Sequence, residues 1–284
     1  MKIGNILLLL HSVNHSKHPM SRIHVVVNTD YRNFIKQFAE LPETFGSSGT
    51  SIFEGRNSVR LIGFDGVSLV VKRFKVLRGI KSIIYRFRST KAFRAYKHGL
   101  MLLDIGISTP EPAGFAVMYG KFGLPTESFY ISQYTPLPNL ASFFGKDDDF
   151  DKAVIKAFAA FVAELHRKGV VFDDLNSTNV LVKTDSEGIA TFSLIDINRM
   201  RFMPPGSLNL NQRFRNISRI CYDRPALYKY FIEQYVKAVK VDLQHTENSH
   251  ISEEILIAEG LKTKKHCDKA RRRLYAIKHP FRKK

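Results

Sequence analysis

The chain is short of cysteine, of long apolar runs and of acidic residues. Only two cysteines occur in 284 residues, Cys221 and Cys267. Neither stands in a C-x-x-C or Cys/His metal spacing. That excludes a disulfide framework and makes a reducing cytosol the expected compartment. No stretch approaches the eighteen or so apolar residues that a membrane-spanning helix needs. The run Ile6 to Leu10 near the start is too short for that. It also lacks the apolar core and small-residue cleavage site of a signal peptide. Residues 1–20 are expected to be a disordered leader, with Met20 a candidate start because the globular pattern begins just after it. Carboxylates are outnumbered: 26 Asp and Glu stand against 44 Lys and Arg, a formal net charge of +18. Such a charge calls for an anionic partner: nucleic acid, an acidic membrane surface or a phosphorylated substrate. No helix-turn-helix, finger or RNA-binding signature is present, so nucleic acid is not the expected one.

Apolar residues make up 44% of the chain, normal for a folded protein. The length suits one large domain or one domain in two lobes. "IHVVV" (23–27) reads as a strand, and "DYRNFIKQFAELPETF" (30–45) as a helix with Asp30 as its N-cap. "GSSGT" (46–50) reads as a flexible joint. "TSIFEG", "SVRLIGF" and "VSLVVKRF" follow as strands, the last two joined by a hairpin turn at Asp65-Gly66. Ser89 to Gly106 is predicted to be a helix, and "GFAVMYG" and "ESFYISQY" a second hairpin. After Tyr134 the pattern changes. Val154, Ile155, Phe158, Phe161, Val162 and Leu165 mark one amphipathic helix, stopped by Gly169. The strands "NVLV" and "TFSLID" come next, and then a mainly helical remainder.

The expected fold class is therefore α+β, with two lobes and a cleft between them. Its parts are an antiparallel strand-rich lobe with one helix (21–134), a mainly helical lobe (135–260) and a basic tail (261–284).

One constellation carries chemistry. Phosphoryl transfer needs a carboxylate to accept the proton of the attacking hydroxyl. It needs hard oxygen ligands for Mg²⁺ and a lysine for the phosphates. In "VVFDDLNSTNVLV", Asp174 and Asn179 have the separation of base and metal-binding asparagine in the kinase pattern H-R-D-x-x-x-x-N. Asp196 ends the second strand, where a kinase has the aspartate of D-F-G. Lys72 lies near the end of the third strand, where the phosphate lysine of V-A-I-K belongs. Gly55 lies in the first strand turn, where a missing Cβ lets backbone approach phosphate. The plain alternative is that Asp173 and Asp174 only shape a turn, and order and context together weigh against it. His166 reads as structural, Asp147 to Asp149 as a solvated helix start, and His11, His15 and His18 as leader residues without a metal role.

"ISTPEPAGF", "LHRKGVVFDDLNSTNVLV" and "SLIDINRMRF" together resemble the lipopolysaccharide kinase family of the Kdo-kinase and heptose-kinase type, over about residues 21 to 240. The "DINRMR" run resembles the Bacteroides-type branch. The resemblance implies a protein-kinase-like fold, ATP and Mg²⁺, and a core sugar hydroxyl of lipopolysaccharide or lipid A glycolipid as acceptor, Kdo before heptose. It implies Asp174 as base, Asn179 and Asp196 as metal ligands, Lys72 on the phosphates, and the backbone of Gln133 and Tyr134 near adenine. A cytoplasmic enzyme peripheral on the inner membrane follows, with basic residues (Lys72, Arg73, Lys75, Arg78, Lys81, Arg86, Arg88, Lys91, Arg94 and Lys97, and the stretch 262–284 with Tyr275, Ile277 and Phe281) meeting its anionic surface.

The pattern departs at three points. H-R-D reads Phe172-Asp173-Asp174, and D-F-G reads Asp196-Ile197-Asn198. Lys97 occupies the helix position expected for the glutamate that pairs with Lys72. Lys72 then needs another acid, such as Glu54, or the chain is a non-catalytic nucleotide-binding module. A small-molecule kinase of the aminoglycoside or choline type shares the same residue scheme.

Overall fold

Period-two alternation decides which way the first sheet faces. The computed structural model describes residues 11–14, 22–75, 89–120, 123–145, 149–220, 224–243 and 248–278. Cys221, His15, His18, Met20, Arg78, Lys81, Arg86, Arg88, Asp147, Phe281 and the other residues of 279–284 lie outside that set. Two units are resolved: Met1–Pro136 with Asp196–Asn198, and Leu137–Ile195 with Arg199–Lys284.

The first unit is built on seven strands: β1 (His11–Asn14), β2 (Arg22–Val27), β3 (Thr50–Glu54), β4 (Asn57–Phe64), β5 (Val67–Lys75), β6 (Pro112–Tyr119) and β7 (Pro125–Gln133). They form one antiparallel sheet in the order β1-β2-β6-β7-β5-β4-β3. Ile23, Val25 and Val27 face the same side as Leu69, Val71, Phe129 and Ile131. That side is closed by Phe34, Phe38, Leu41 and Phe45. The intervening residues Val26, Phe74, Phe115 and Val117 face the other side and meet Ala92 and Tyr96 of helix α3 (Lys91–Asp104). Burying each large side chain stabilises the sheet by about 1.5–3 kcal/mol. Lys72 lies two residues from Phe74, so it points to the α3 side.

The Asp65-Gly66 turn has positive φ at both residues, 46° and 86°, as a two-residue type I′ hairpin requires. Helix α3 is capped by Thr90, whose side chain accepts from Phe93 N at 3.2 Å. Gly106, at φ 73°, ends it.

The structure departs from the sequence reading in four places. Residues 11–14 are a strand paired to β2, within the leader expected to be disordered; an open sheet edge offers unpaired backbone groups to any neighbouring segment. The helix expected over 30–45 is broken into a 3-10 turn (Thr29–Phe34), α1 (Ile35–Ala39) and α2 (Leu41–Thr44). Pro42, in the first turn of α2, lacks the N–H that a continuous helix would use. The residue before the 3-10 turn is Asn28, and it makes no side-chain cap, so Asp30 is not the N-cap. The Gly-Ser stretch is no loose joint: Arg60 Nε and Nη2 donate to Ser48 O and Gly49 O at 2.7 and 3.0 Å.

In the second unit, Asp151 caps α4 (Lys152–Arg167) by accepting from Val154 N at 3.0 Å. Its apolar stripe meets α6 (Pro225–Leu243), with Phe158 and Phe231 ring centroids 5.7 Å apart. Two small antiparallel strand pairs carry the motif residues: β8 (Val170–Phe172) with β11 (Met200–Phe202), and the hairpin of β9 (Val180–Thr184) with β10 (Ala190–Leu194). Helices α5 (Leu210–Ile217) and α7 (Glu253–Lys278) complete it. The fourth departure is here. α7 runs through the boundary expected at 260, because Gly260 lets it lie against Ile232 and Phe214: a Cβ there would come within 2.7 Å of Ile232 Cδ1.

Candidate active site

Register brings the motif residues of the second unit together. Phe172 pairs with Met200, so Asp173 and Asp174, just after β8, lie beside Arg199, just before β11. Asp173 N donates to Arg199 O at 3.0 Å. Val180 pairs with Leu194, and Ile195 N donates to Asn179 O at 3.0 Å, so the segment leading into Asp196 is tied to Asn179. The loop between is fastened to one atom: Asn176 Nδ2 and Asn179 Nδ2 donate to Asp174 O at 3.0 and 2.9 Å. Asn179 therefore spends its nitrogen on the loop, and its amide oxygen is the atom suited to a cation. Asp174 Oδ1 accepts from Arg199 Nη1 at 3.1 Å and Arg219 Nη1 at 3.2 Å. Asp173 pairs with Arg201 at 3.0 Å.

Behind this loop runs a buried polar chain. Asn216 Nδ2 donates to Phe172 O at 2.8 Å. Its Oδ1 must then accept from His166 Nε2–H at 3.0 Å, which leaves His166 Nδ1 to accept from Tyr235 OH at 2.6 Å. Burial pushes the His166 pKa down to about 4, so the ring is neutral. His166 is structural, as its helix position suggested, but what it supports is the backbone two residues before Asp174.

In the first unit, Lys72 Nζ lies 2.6 Å from Asp196 Oδ1. Asn198 Nδ2 donates to the same oxygen at 2.6 Å. Asp196 has φ 56°, a left-handed conformation that costs a non-glycine residue on the order of 1 kcal/mol. Helix α3 holds the turn in that shape. His98 Nδ1 bonds Ile197 O at 2.7 Å, and Arg94 Nε donates to Asn198 O at 3.2 Å. Gly99 permits the approach, since a Cβ would fall 2.5 Å from Pro112 Cγ and 3.3 Å from Ile197 Cδ1.

The expected conflict between Lys97 and Lys72 is absent, because Lys97 is exposed and the buried neighbour His98 faces the turn. Glu54 does not replace the missing glutamate either: it meets Ser51 and Arg60. Asp196 itself is the acid that holds Lys72. The ground for a lysine without an anchor is thereby removed.

Lys91, at the start of α3, is a cation that the sequence reading assigned only to the basic surface and not to the site. Burial lowers its pKa, with Arg56, Arg94 and Lys72 adding to that and Asp196 opposing it. Lys91 and Lys72 both lie over the Phe74 ring. Arg94 was likewise read only as basic surface, and His98 was missed. The face Ala95–Gly99–Leu102 contains His98 and excludes Lys97, so helical spacing held that signal.

Gly55 lies in the β3–β4 turn, its N–H donating to Asn57 O at 3.1 Å and the Phe53 ring lying over it. Gln133 N donates to Glu111 O at 2.9 Å and Tyr134 N to Ser68 O at 3.2 Å. Both N–H groups are committed, so neither donates to a base without giving up an existing bond. Among the described residues no group of three His, Cys, Asp or Glu side chains could hold a metal, and no helix is long and apolar enough to cross a membrane. Asp196 in the first unit offers a carboxylate and Asn179 in the second an amide oxygen, each by itself a hard donor of the type that Mg²⁺ accepts.

A sheet-rich unit bearing a lysine–aspartate pair, and a helical unit bearing the Asp…Asn loop, are the two halves of a protein-kinase-like phosphotransferase. Among solved structures, one described as WaaP in complex with acyl carrier protein is similar over 86% of this chain and 99% of its own, with a TM-score of 0.56 and 16% identity. A crystal structure of monomeric WbdD is similar over 73% of this chain and 45% of its own, with a TM-score of 0.39 and 16% identity. No curated protein sequence matches. Residues 75–235, more than half of the chain, match the lipopolysaccharide kinase (Kdo/WaaP) family. The chain belongs to that family, whose members are phosphotransferases acting on sugar hydroxyls.

Proposed function

We propose that the chain transfers the γ-phosphate of ATP to a sugar hydroxyl of the lipopolysaccharide core, with Kdo on lipid A preferred over heptose. The observation that carries this reading is the Lys72–Asp196 pair, held by α3 and joined in sequence to the Asp174…Asn179 loop. Asp174 accepts the proton of the acceptor hydroxyl. The hydroxyl oxygen forms the new bond to the γ-phosphorus as the bond to the bridging oxygen breaks, and ADP leaves. Lys72, with Lys91 and Arg56, neutralises the nucleotide phosphates over Gly55. Asn179 and Asp196 would hold Mg²⁺, which supplies charge neutralisation at the phosphates when bound. The Gln133–Tyr134 segment flanks the adenine.

A cytoplasmic enzyme peripheral on the inner membrane is the matching location. Lys265, Lys269 and Arg273 of α7 are exposed beside Leu274 and Ile277, basic and apolar together. Each basic residue near an anionic surface contributes about 1 kcal/mol. Co-sedimentation with phosphatidylglycerol vesicles, lost at high salt and in a Lys265→Glu/Lys269→Glu/Arg273→Glu variant, tests this; equal binding to neutral vesicles refutes it.

The test of the activity is thermal stabilisation by ATP with and without Mg²⁺, followed by transfer of labelled γ-phosphate to Kdo–lipid A and to a heptose acceptor. A Mg²⁺-dependent shift with label on the Kdo acceptor supports the reading. Absence of any shift at millimolar nucleotide overturns it.

A further inference from the structure

We propose that Arg199 and Arg219 form an anion clamp for the acceptor, which covers the base Asp174 until a carboxylate or phosphate borne by the acceptor draws the arginines away. The inference rests on Asp174 being the base. Both guanidiniums reach the same atom, Asp174 Oδ1, through a single Nη1 each. That oxygen is thereby occupied by two guanidinium donors, at 3.1 and 3.2 Å. The arrangement is not a settled ion pair of the core. The side chains of Arg199 and Arg219 are 54% and 44% exposed, so about half of each faces solvent. Arg201, 58% exposed and paired with Asp173, adjoins them. Three guanidiniums against two carboxylates leave one positive charge unbalanced at the mouth of the loop.

The three arginines also sit on well-anchored backbone. Arg199 and Arg201 flank the start of β11, which is paired to β8. Arg219 follows α5 and is further pinned by Nη1 donating to Asp173 O at 2.9 Å. Such a set suits an oxyanion better than a neutral hydroxyl, because an arginine fork bonds two oxygens of a carboxylate or phosphate at once. An anion held a bond or two from the accepting hydroxyl exchanges one-point contacts to Asp174 for two-point contacts to substrate. It thereby uncovers Oδ1 and brings the hydroxyl to it. A neutral sugar offers no such exchange.

The experiment compares the methyl glycoside of Kdo, which carries a carboxylate, with its carboxamide, using the full chain. Wild type should favour the acid by about tenfold to a hundredfold in kcat/KM, the span of one charge-assisted hydrogen bond. In Arg199→Gln/Arg219→Gln the preference should fall below about threefold, and turnover of the amide should rise as the base is uncovered. Arg199→Lys, which keeps charge but loses the fork, should lie between. A binding arm without nucleotide separates this inference from the kinase reading. The acid glycoside, and inorganic phosphate as a second oxyanion, should raise the melting temperature of wild type but not of the double variant. That readout stands even if the chain transfers no phosphate. The clamp is overturned if the double variant still binds or prefers the acid, if acid and amide turnover fall together, or if wild type binds neither anion. It is also overturned if the double variant loses stabilisation by MgATP alone, since the arginines would then serve the nucleotide.

Discussion

Lys72 Nζ is 2.6 Å from Asp196 Oδ1, and among the described residues no glutamate bridges the strand to the helix. In place of a side-chain bridge, α3 grips the backbone of the turn that carries Asp196, through His98 and Arg94. Strand lysine, Asp196 turn and helix are therefore one connected unit, by a different set of bonds from the usual lysine–glutamate pair.

Asp196→Ala should lose Mg²⁺-dependent stabilisation by ATP. Nucleotide at about 100 times its dissociation constant adds roughly 2.7 kcal/mol to the wild type, and that increment should vanish. Lys97→Ala should leave it unchanged, because Lys97 points to solvent. Differential scanning fluorimetry reads both, and a large loss in the Lys97 variant would contradict the geometry of α3.

Removing the helix grip should cost rate more than stability. His98→Ala deletes the bond to Ile197 O, worth about 1 kcal/mol of folding free energy. It also releases a residue held at positive φ, so kcat should fall at least tenfold. Gly99→Ala should destabilise by about 1–3 kcal/mol through overpacking against Pro112 and Ile197. Urea denaturation beside steady-state kinetics separates the two effects.

Asp174→Asn should cut turnover by about 10²–10⁴-fold, the usual worth of general base catalysis, while MgATP still stabilises the protein. Wild-type turnover in that variant would remove Asp174 from the role of base.

Acid should weaken the second unit through His166. The folded pKa is about 4, depressed by burial, against about 6.5 unfolded. Between those values the unfolded chain binds a proton that the folded chain refuses, so stability falls as pH drops from about 6.5 and levels off near 4. The loss is at most about 3 kcal/mol. His166→Gln should flatten that part of the profile in urea midpoints taken from pH 7 to 4. It should also loosen the loop through Asn216 and Phe172 O.

Local signals in the chain proved sufficient for most elements. Asp65-Gly66 specified its hairpin, because only residues tolerant of positive φ close a two-residue turn. Thr90 and Gly106 bounded α3 and Gly169 stopped α4, through capping and left-handed stops, whereas the start of α4 belongs to Asp151 and not to the run Asp147 to Asp149. Where the chain was misread, a non-local partner had decided the outcome. Residues 11–14 are a strand because β2 has an open edge. Gly260 lies inside a helix because Ile232 and Phe214 leave no room for a side chain.

The residue types and their order were thus set by sequence alone: a lysine on a strand of the sheet, an aspartate and asparagine five apart, a second aspartate after a short hairpin. Tertiary structure decided who pairs with whom. Lys72 takes Asp196, Asp174 takes two arginines 25 and 45 residues away, and His98 rather than Lys97 faces the turn. Spacing along a chain fixes which face a side chain occupies, because helices and strands have fixed periods. It does not fix which distant charge arrives opposite that face. That depends on the register of β8 with β11 and on how closely α3 approaches the sheet, and both are settled only when the whole chain packs.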